Sequence, residues 1–326
     1  MNNISAVRYI LASSVILSHV AELMGFQSSF VSHWPIPSYI AVGGFFALSG
    51  YLIFGSYERR PVVTDFLRRR ARRIMPAYIS IVLMCAVGMV FVSSLPPVDY
   101  FISSEWWCYL LANLSFLNFL QPTLPGVFSE YAEPAINGSL WTMKVEWMLY
   151  LSVPLVAWFC SRFRFNRSRV AVVIYLLSVA YRLLFAWLYE KTGNDIYLIL
   201  GRQVFGQLSF FYTGVWIYAN YNRFHTYRHW IAIVSLLLFL SSGYIPYYDY
   251  ILEPAIISLL IIYACTTGRW GTWVPVKGNI SYEMYLCHFP VIQLLIYFGF
   301  SDFGFWPCLL VTMAISALVS KIISSN

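Results

Sequence analysis

The sequence predicts an all-α integral membrane protein of about ten transmembrane helices, on three observations. Of its 326 residues, 60% are hydrophobic and only 11% are charged, with a mean hydropathy of +0.66. Apolar runs recur along the whole chain, and a spanning helix needs about 20 such residues. The lysines and arginines between the runs gather in alternate loops, as in polytopic proteins whose basic loops stay in the cytoplasm. A soluble domain with a large core does not combine these features.

The expected spans lie near 5–25, 37–55, 74–95, 140–160, 169–189, 203–220, 229–244, 251–267, 280–299 and 305–323. The first has no small-residue cleavage site after it and carries a mid-length histidine, so it reads as a retained helix and not a signal peptide. A further stretch, 106–120, is aromatic but short, and the charges decide its fate. Arg59, Arg60, Arg68, Arg69, Arg70, Arg72 and Arg73 precede the third span, and Arg162, Arg164, Arg167 and Arg169 follow 140–160. Arg223, Arg228, Arg269, Lys277 and Lys321 come later. All of these share one side only if 106–120 does not cross, and both termini are then cytoplasmic. Segment 96–139 becomes a long extracytoplasmic loop between the third and fourth spanning helices. It has no lysine or arginine and too many aromatic residues to be disordered. No internal repeat or linker divides the chain, so a single membrane domain over 1–326 is expected, with no appended soluble domain.

Ionisable residues inside the spans are the first candidates for function, because burying charge in lipid is costly. Arg8 and His19 are eleven residues apart in the first span. At about 100° per residue they return to within about 20° of one face, roughly 16 Å apart along the axis. Such a stripe suits a long anionic ligand that reacts at its far end. Neutral imidazole fits general-base work, and Glu22, three residues on, is close enough to orient the His19 ring. The string FLRRRARRIMPAY (66–78) places five arginines in six positions ahead of a span. Guanidinium forks pair bidentately with phosphate, although such clusters also anchor topology. Pro76, just inside the apolar run, is expected to break or bend the start of that helix.

In NGSLWTMKVEWMLYL, Lys144 and Glu146 are two steps apart and face away from one another, so each needs another partner. Arg8, His19, Arg182 and Arg202 are the intramembrane candidates. In NISYEMYLCHFPV, Glu283 and His288 open the span 280–299, and packing is the expected role of His288. The six cysteines mostly lie in apolar runs without C-x-x-C spacing and are expected to be reduced thiols. There is no G-x-S-x-G elbow, glycine-rich phosphate loop, H-E-x-x-H or metal-ligand spacing. Nothing interleaves basic and aromatic residues as a nucleic-acid surface does.

Taken in order, Arg8-x10-His19, GGFFALSGYLI (43–53), FLRRRARRIMPAY (66–78), GSLWTMKVEWMLYL (138–151), GRQVFGQLSFFYTG (201–214) and GNISYEMYLCHFPV (278–291) resemble the membrane acyltransferase-3 family, which acylates bacterial surface glycans and other acceptors. The resemblance implies O-acylation, with acetyl as the default acyl group and cytoplasmic acetyl-CoA as co-substrate. No permanently bound cofactor is expected. The chain would sit in the bacterial inner membrane, and its partners would be acyl-CoA, a glycan or lipid-linked glycan and membrane lipid. The family's Arg-x10-His falls on Arg8 and His19. Its Arg-x-x-Arg falls on Arg70 and Arg73, with Arg69 and Arg72 at the same spacing. Its tryptophan and glutamate fall on Trp141 and Glu146. The catalytic candidates are therefore His19, Glu22 and Glu146, and the donor-binding candidates are Arg8, Arg69, Arg70, Arg72 and Arg73. Trp141, Lys144, Arg202 and His288 are acceptor-binding or structural candidates. His19 would either deprotonate the acceptor hydroxyl or carry the acyl group itself, and the sequence leaves both routes open. The competing class is a transporter or flippase for a lipid-linked sugar or anion. Buried charges in many spans also fit that class, but the inverted internal repeats frequent in transporters are not found.

Overall fold

The structure, a computed structural model, describes residues 2–26, 34–272, 274 and 278–324. Lys277, one of the expected cytoplasmic charges, lies outside the described residues. All regular elements among the described residues are helical. First come α1 (Asn2–Leu23), α2 (Ser38–Arg59) and α3 (Val63–Gly88), then the short α4 (Pro97–Ile102) and α5 (Ser104–Leu114). After a stretch of turns follow α6 (Trp141–Phe163), α7 (Arg167–Thr192), α8 (Ile196–Gly201), α9 (Val204–Ala219) and α10 (Tyr221–Leu240). The one-turn α11 (Tyr248–Ile251), α12 (Glu253–Thr266), α13 (Ser281–Tyr297) and α14 (Phe305–Ser324) come last.

Six helices among the described residues, α1, α2, α3, α6, α7 and α14, are long and apolar enough to cross a membrane. The expected spans 203–220, 251–267 and 280–299 coincide with α9, α12 and α13, of 16, 14 and 17 residues. At 1.5 Å per residue these reach about 21–26 Å, short of the ~30 Å hydrocarbon core. Two boundaries differ from expectation. The arginine-rich segment is not a loop before a broken helix: α3 begins at Val63, carries Arg68 to Arg73 on its first turns and runs through Pro76. Arginine is a good helix former, so a fall in hydropathy did not mark a fall in helicity. α10 begins at Tyr221, eight residues before the apolar run, and carries Arg223 and Arg228 on the helix. Segment 96–139 contains α4 and α5. The 11 residues of α5 extend only about 16 Å, too little to cross.

The chain forms two compact units, one of Met1–Val7, Val42–Arg68 and Val145–Val274, the other of Arg8–Ala41, Arg69–Lys144 and Pro275–Asn326. In the first unit α7 is capped by Asn166, whose side chain accepts from the backbone N–H groups of Ser168 and Arg169 at 2.9 and 3.2 Å. It ends at Gly193, which has a left-handed φ of 66°. There α2 and α9 cross backbone to backbone. A Cβ on Gly50 would lie 2.0 Å from the Phe211 carbonyl oxygen, and one on Gly214 would lie 2.0 Å from that of Ala47. Only glycine admits that approach.

In the second unit the 96–139 excursion is fastened to α3. The Ala86 carbonyl, in the last turn of α3, accepts from the Tyr100 hydroxyl at 2.9 Å and the Trp106 indole N–H at 2.8 Å. Those donors satisfy a carbonyl that the helix end leaves open. The Tyr78 hydroxyl donates to the Asn113 carbonyl at 2.6 Å. On the return path Ser94 N–H bonds the Gly126 carbonyl at 2.9 Å. Two of the aromatic residues that argued against disorder, Tyr100 and Trp106, are therefore among the excursion's fasteners.

Candidate active site

His19 is presented by α1 to α13 through a shared apolar seam in the second unit. Ile16, Leu17 and Val20 pack into one buried cluster with Met284 and Ile292 of α13 and with Cys308 and Leu309 of α14. Ile16 and Val20 flank His19, while Met284 and Ile292 stand four residues either side of His288, so docking these knobs brings the two imidazoles together. His19 Nδ1 lies 2.8 Å from His288 Nε2. The ring centroids are 5.0 Å apart with planes inclined by 16°. That separation is close to the nitrogen–nitrogen distance plus two ring radii, so the rings meet edge to edge and nearly coplanar. Phe289 closes one side of His19, its ring centroid 5.7 Å away and its plane at 80°.

His288 is fully buried, with 0% of its surface exposed. Its Nδ1 lies 2.7 Å from the Tyr285 carbonyl oxygen, and the Ser139 hydroxyl is 3.5 Å from its Nε2. The segment before α6 is stitched to α13 around this point. Asn137 donates to the Leu286 carbonyl at 2.8 Å, and the Thr142 and Tyr285 hydroxyls are 3.0 Å apart. Gln293 donates to the carbonyls of Glu133 at 2.7 Å and Ala135 at 2.9 Å. Gly138 leaves room for the Phe289 ring, which a Cβ there would approach within 2.7 Å. The strings NGSLW and YLCHFP thus fold against one another.

The other sequence candidates take these places. Arg8 is half-buried on the same face of α1 as His19, and Glu22, one turn beyond His19, is exposed. The Nδ1 edge of His19 is engaged by His288, a partner that the sequence alone does not pair with it. Arg69 and Arg70 are half-buried on α3, and Arg72 and Arg73 are exposed. Positions 69 and 73 lie one turn apart on one face, as do 70 and 73. Trp141 begins α6 and is half-buried. Lys144 sets its ammonium 4.8 Å from the centre of the Phe119 ring, within cation–π range.

Glu146 falls in the first unit, where its carboxylate accepts from the Tyr150 hydroxyl one turn on. Lys144 and Glu146 therefore take different partners, as their opposed directions require. Arg182, offered as a partner for them, donates to the Asp249 carbonyl at 2.9 Å. It also stands 5.6 Å from the centre of the Tyr250 ring. Arg202 is exposed at the C-terminal end of α8. All six cysteines are free thiols, and no metal-ligand cluster exists among the described residues. The feature that sequence reasoning missed is the meeting of His288 with His19. The sequence offered His288 as a packing or acceptor-binding candidate, and nothing in it paired that residue with His19.

The family described as an acyltransferase domain, Acyl_transf_3, matches residues 1–324, and the chain belongs to it. An O-acetyl transferase of Shigella phage Sf6 is 26% identical, over all of this chain and 94% of its own length. YrhL of Bacillus subtilis, provisionally named a peptidoglycan O-acetyltransferase, is 25% identical over 80% of this chain and 45% of its own length. The O-acetyltransferase OatA of Staphylococcus aureus is 26% identical over 52% of this chain and 28% of its own. No solved structure matches the chain significantly.

Proposed function

We propose that the chain is a transmembrane O-acyltransferase that moves an acyl group, acetyl by default, from cytoplasmic acyl-CoA to a hydroxyl of an envelope glycan or its lipid-linked precursor. The observation that carries this reading is the stripe on α1: Arg8 and His19 three turns apart on one face, with the Nδ1 edge of His19 engaged by His288. The names of the relatives from phage Sf6 and Staphylococcus aureus support acetyl transfer to oxygen. In this reading the chain crosses the inner membrane ten times with both termini cytoplasmic, and the 96–139 excursion lies outside.

CoA is polyanionic with a long thin arm ending in a thioester. Arg70 and Arg73, or Arg69 and Arg72, would hold its phosphates at the inner mouth, where a fork of donors matches phosphate oxygens. Arg8 would meet the next charge, and the arm would run along the α1 stripe to His19. His19 Nε2 takes the proton of the acceptor hydroxyl as its oxygen forms a bond to the acyl carbon. The carbon–sulfur bond breaks, and the departing thiolate recovers that proton. The acyl group crosses and CoA stays inside. Trp141, Lys144 and Arg202 are left to the acceptor or to structure, Glu146 stays a catalytic candidate without an assigned step, and Glu22 has a lesser electrostatic effect.

The test is mass spectrometry of envelope glycan from cells carrying the intact chain, no chain, or the His19→Gln variant. The first should show sugars heavier by one acetyl group, and the other two should lack that mass. Acetylated glycan from His19→Gln cells at normal levels would remove His19 from the chemistry.

A further inference from the structure

We propose that His288 is a positioning residue that fixes the tautomer of His19, and that the Tyr285 backbone carbonyl dictates the choice. This deepens the reading of His19 as the base and rests on it.

The argument is a count of protons along one line of atoms. A carbonyl oxygen only accepts, so His288 Nδ1, 2.7 Å from the Tyr285 oxygen, carries a hydrogen. In the neutral ring His288 Nε2 then holds a lone pair. His19 Nδ1 is 2.8 Å from that lone pair, with the rings nearly coplanar, and must be the donor. The Ser139 hydroxyl, 3.5 Å away, is a second and longer donor to the same nitrogen. With its proton at Nδ1, neutral His19 presents a lone pair at Nε2. That is the form a base needs. The opposite tautomer would put a hydrogen at Nε2 and leave two lone pairs facing each other across 2.8 Å.

The device matches the logic of a catalytic base held by an orienting partner, which sets both tautomer and direction. Here the partner is a second imidazole, and its own orientation comes from a helix carbonyl three residues back. As His19 gains a proton at Nε2, its Nδ1–H becomes a stronger donor and His288 Nε2 is in place to accept it. His288 touches no substrate in this scheme.

The first measurement is direct and needs no variant of His288. In the ¹⁵N-histidine-labelled full-length protein in lipid, the His19 signals are identified as those lost in His19→Gln. Nitrogen NMR then distinguishes a protonated ring nitrogen from a bare one. Neutral His19 is expected to be protonated at Nδ1 and bare at Nε2. Protonation at Nε2 would overturn the proposal.

The second measurement uses substitution. His288→Gln can place an amide oxygen where Nε2 stands, whereas His288→Leu offers no acceptor. The leucine variant should lose about 10²-fold or more in transfer rate, the scale of a lost general base. It should still bind CoA, and the glutamine variant should recover a large part of the loss. Wild-type rates in His288→Leu, with His19→Gln inactive, would overturn this inference and leave the function standing. Activity in His19→Gln would instead overturn the function itself.

Discussion

Asn137 donates its side-chain amide to the carbonyl of Leu286 at 2.8 Å, and Leu286 is the residue whose carbonyl Pro290 deprives of its helical partner. Proline has no N–H to return to the carbonyl four residues back. A residue from the segment before α6 therefore completes the hydrogen bonding of α13 two residues from His288. Asn137→Leu should cost about 1–3 kcal/mol, the penalty for stranding a buried acceptor, read as a fall in the thermal midpoint in detergent. Pro290→Ala restores the missing N–H, so the same substitution in that background should cost less, retaining only the loss of the bond from the Ser139 N–H to Asn137 Oδ1 at 3.1 Å. Equal costs in both backgrounds would show that Asn137 acts in some other way.

The ten-span reading is checked by labelling single cysteines at Ser129 and Ser161, both exposed, in a background without the six native thiols. Impermeant reagent should reach Ser129→Cys from outside and Ser161→Cys only after the membrane is opened. The reason is the charge of the segment after α6, where Arg162, Arg164, Arg167 and Arg169 resist translocation. Labelling of both from one side would refute the topology.

Donor binding makes a separate demand on α3. Arg70→Ala and Arg73→Ala should each weaken acyl-CoA binding by about 1–3 kcal/mol if charge-assisted phosphate bonds are lost. Lysine at either position should recover only part of that, because it keeps the charge and loses the fork. Titration of the purified protein with CoA measures both. Unchanged affinity in both alanine variants would leave these arginines as topology anchors.

Glu22 and His19 should separate in a transfer assay. Glu22 is exposed, and the Nδ1 edge of the His19 ring is already engaged by His288. Glu22→Gln should therefore lower the rate only several-fold, against a loss of about 10²-fold or more for His19→Gln. Equal losses would return the orienting role to Glu22.

How much of this could be read in advance depended on whether the information was local. The Arg8–His19 stripe follows from helical periodicity within one segment, and α1 delivers it. The true start of α3 was hidden because hydropathy falls where arginines enter, while helix propensity does not. The partner of His19 was hidden for another reason. It stands 269 residues away in sequence, and only the docking of Ile16 and Val20 against Met284 and Ile292 selects it.

The crossing of α2 and α9 at Gly50 and Gly214 has a consequence for how this chain tolerates change. Most buried positions can absorb a larger neighbour by shifting rotamers, since the contact is between side chains. Here each glycine faces a backbone carbonyl oxygen, which has no rotamer to change. An added methyl at either residue can be relieved only by moving a whole helix, and enlarging one cannot be balanced by trimming the other. Gly50→Ala and Gly214→Ala should each cost folded protein in the membrane, and second-site repair by a smaller side chain is closed to both. Two hydrogen atoms hold the register of two helices.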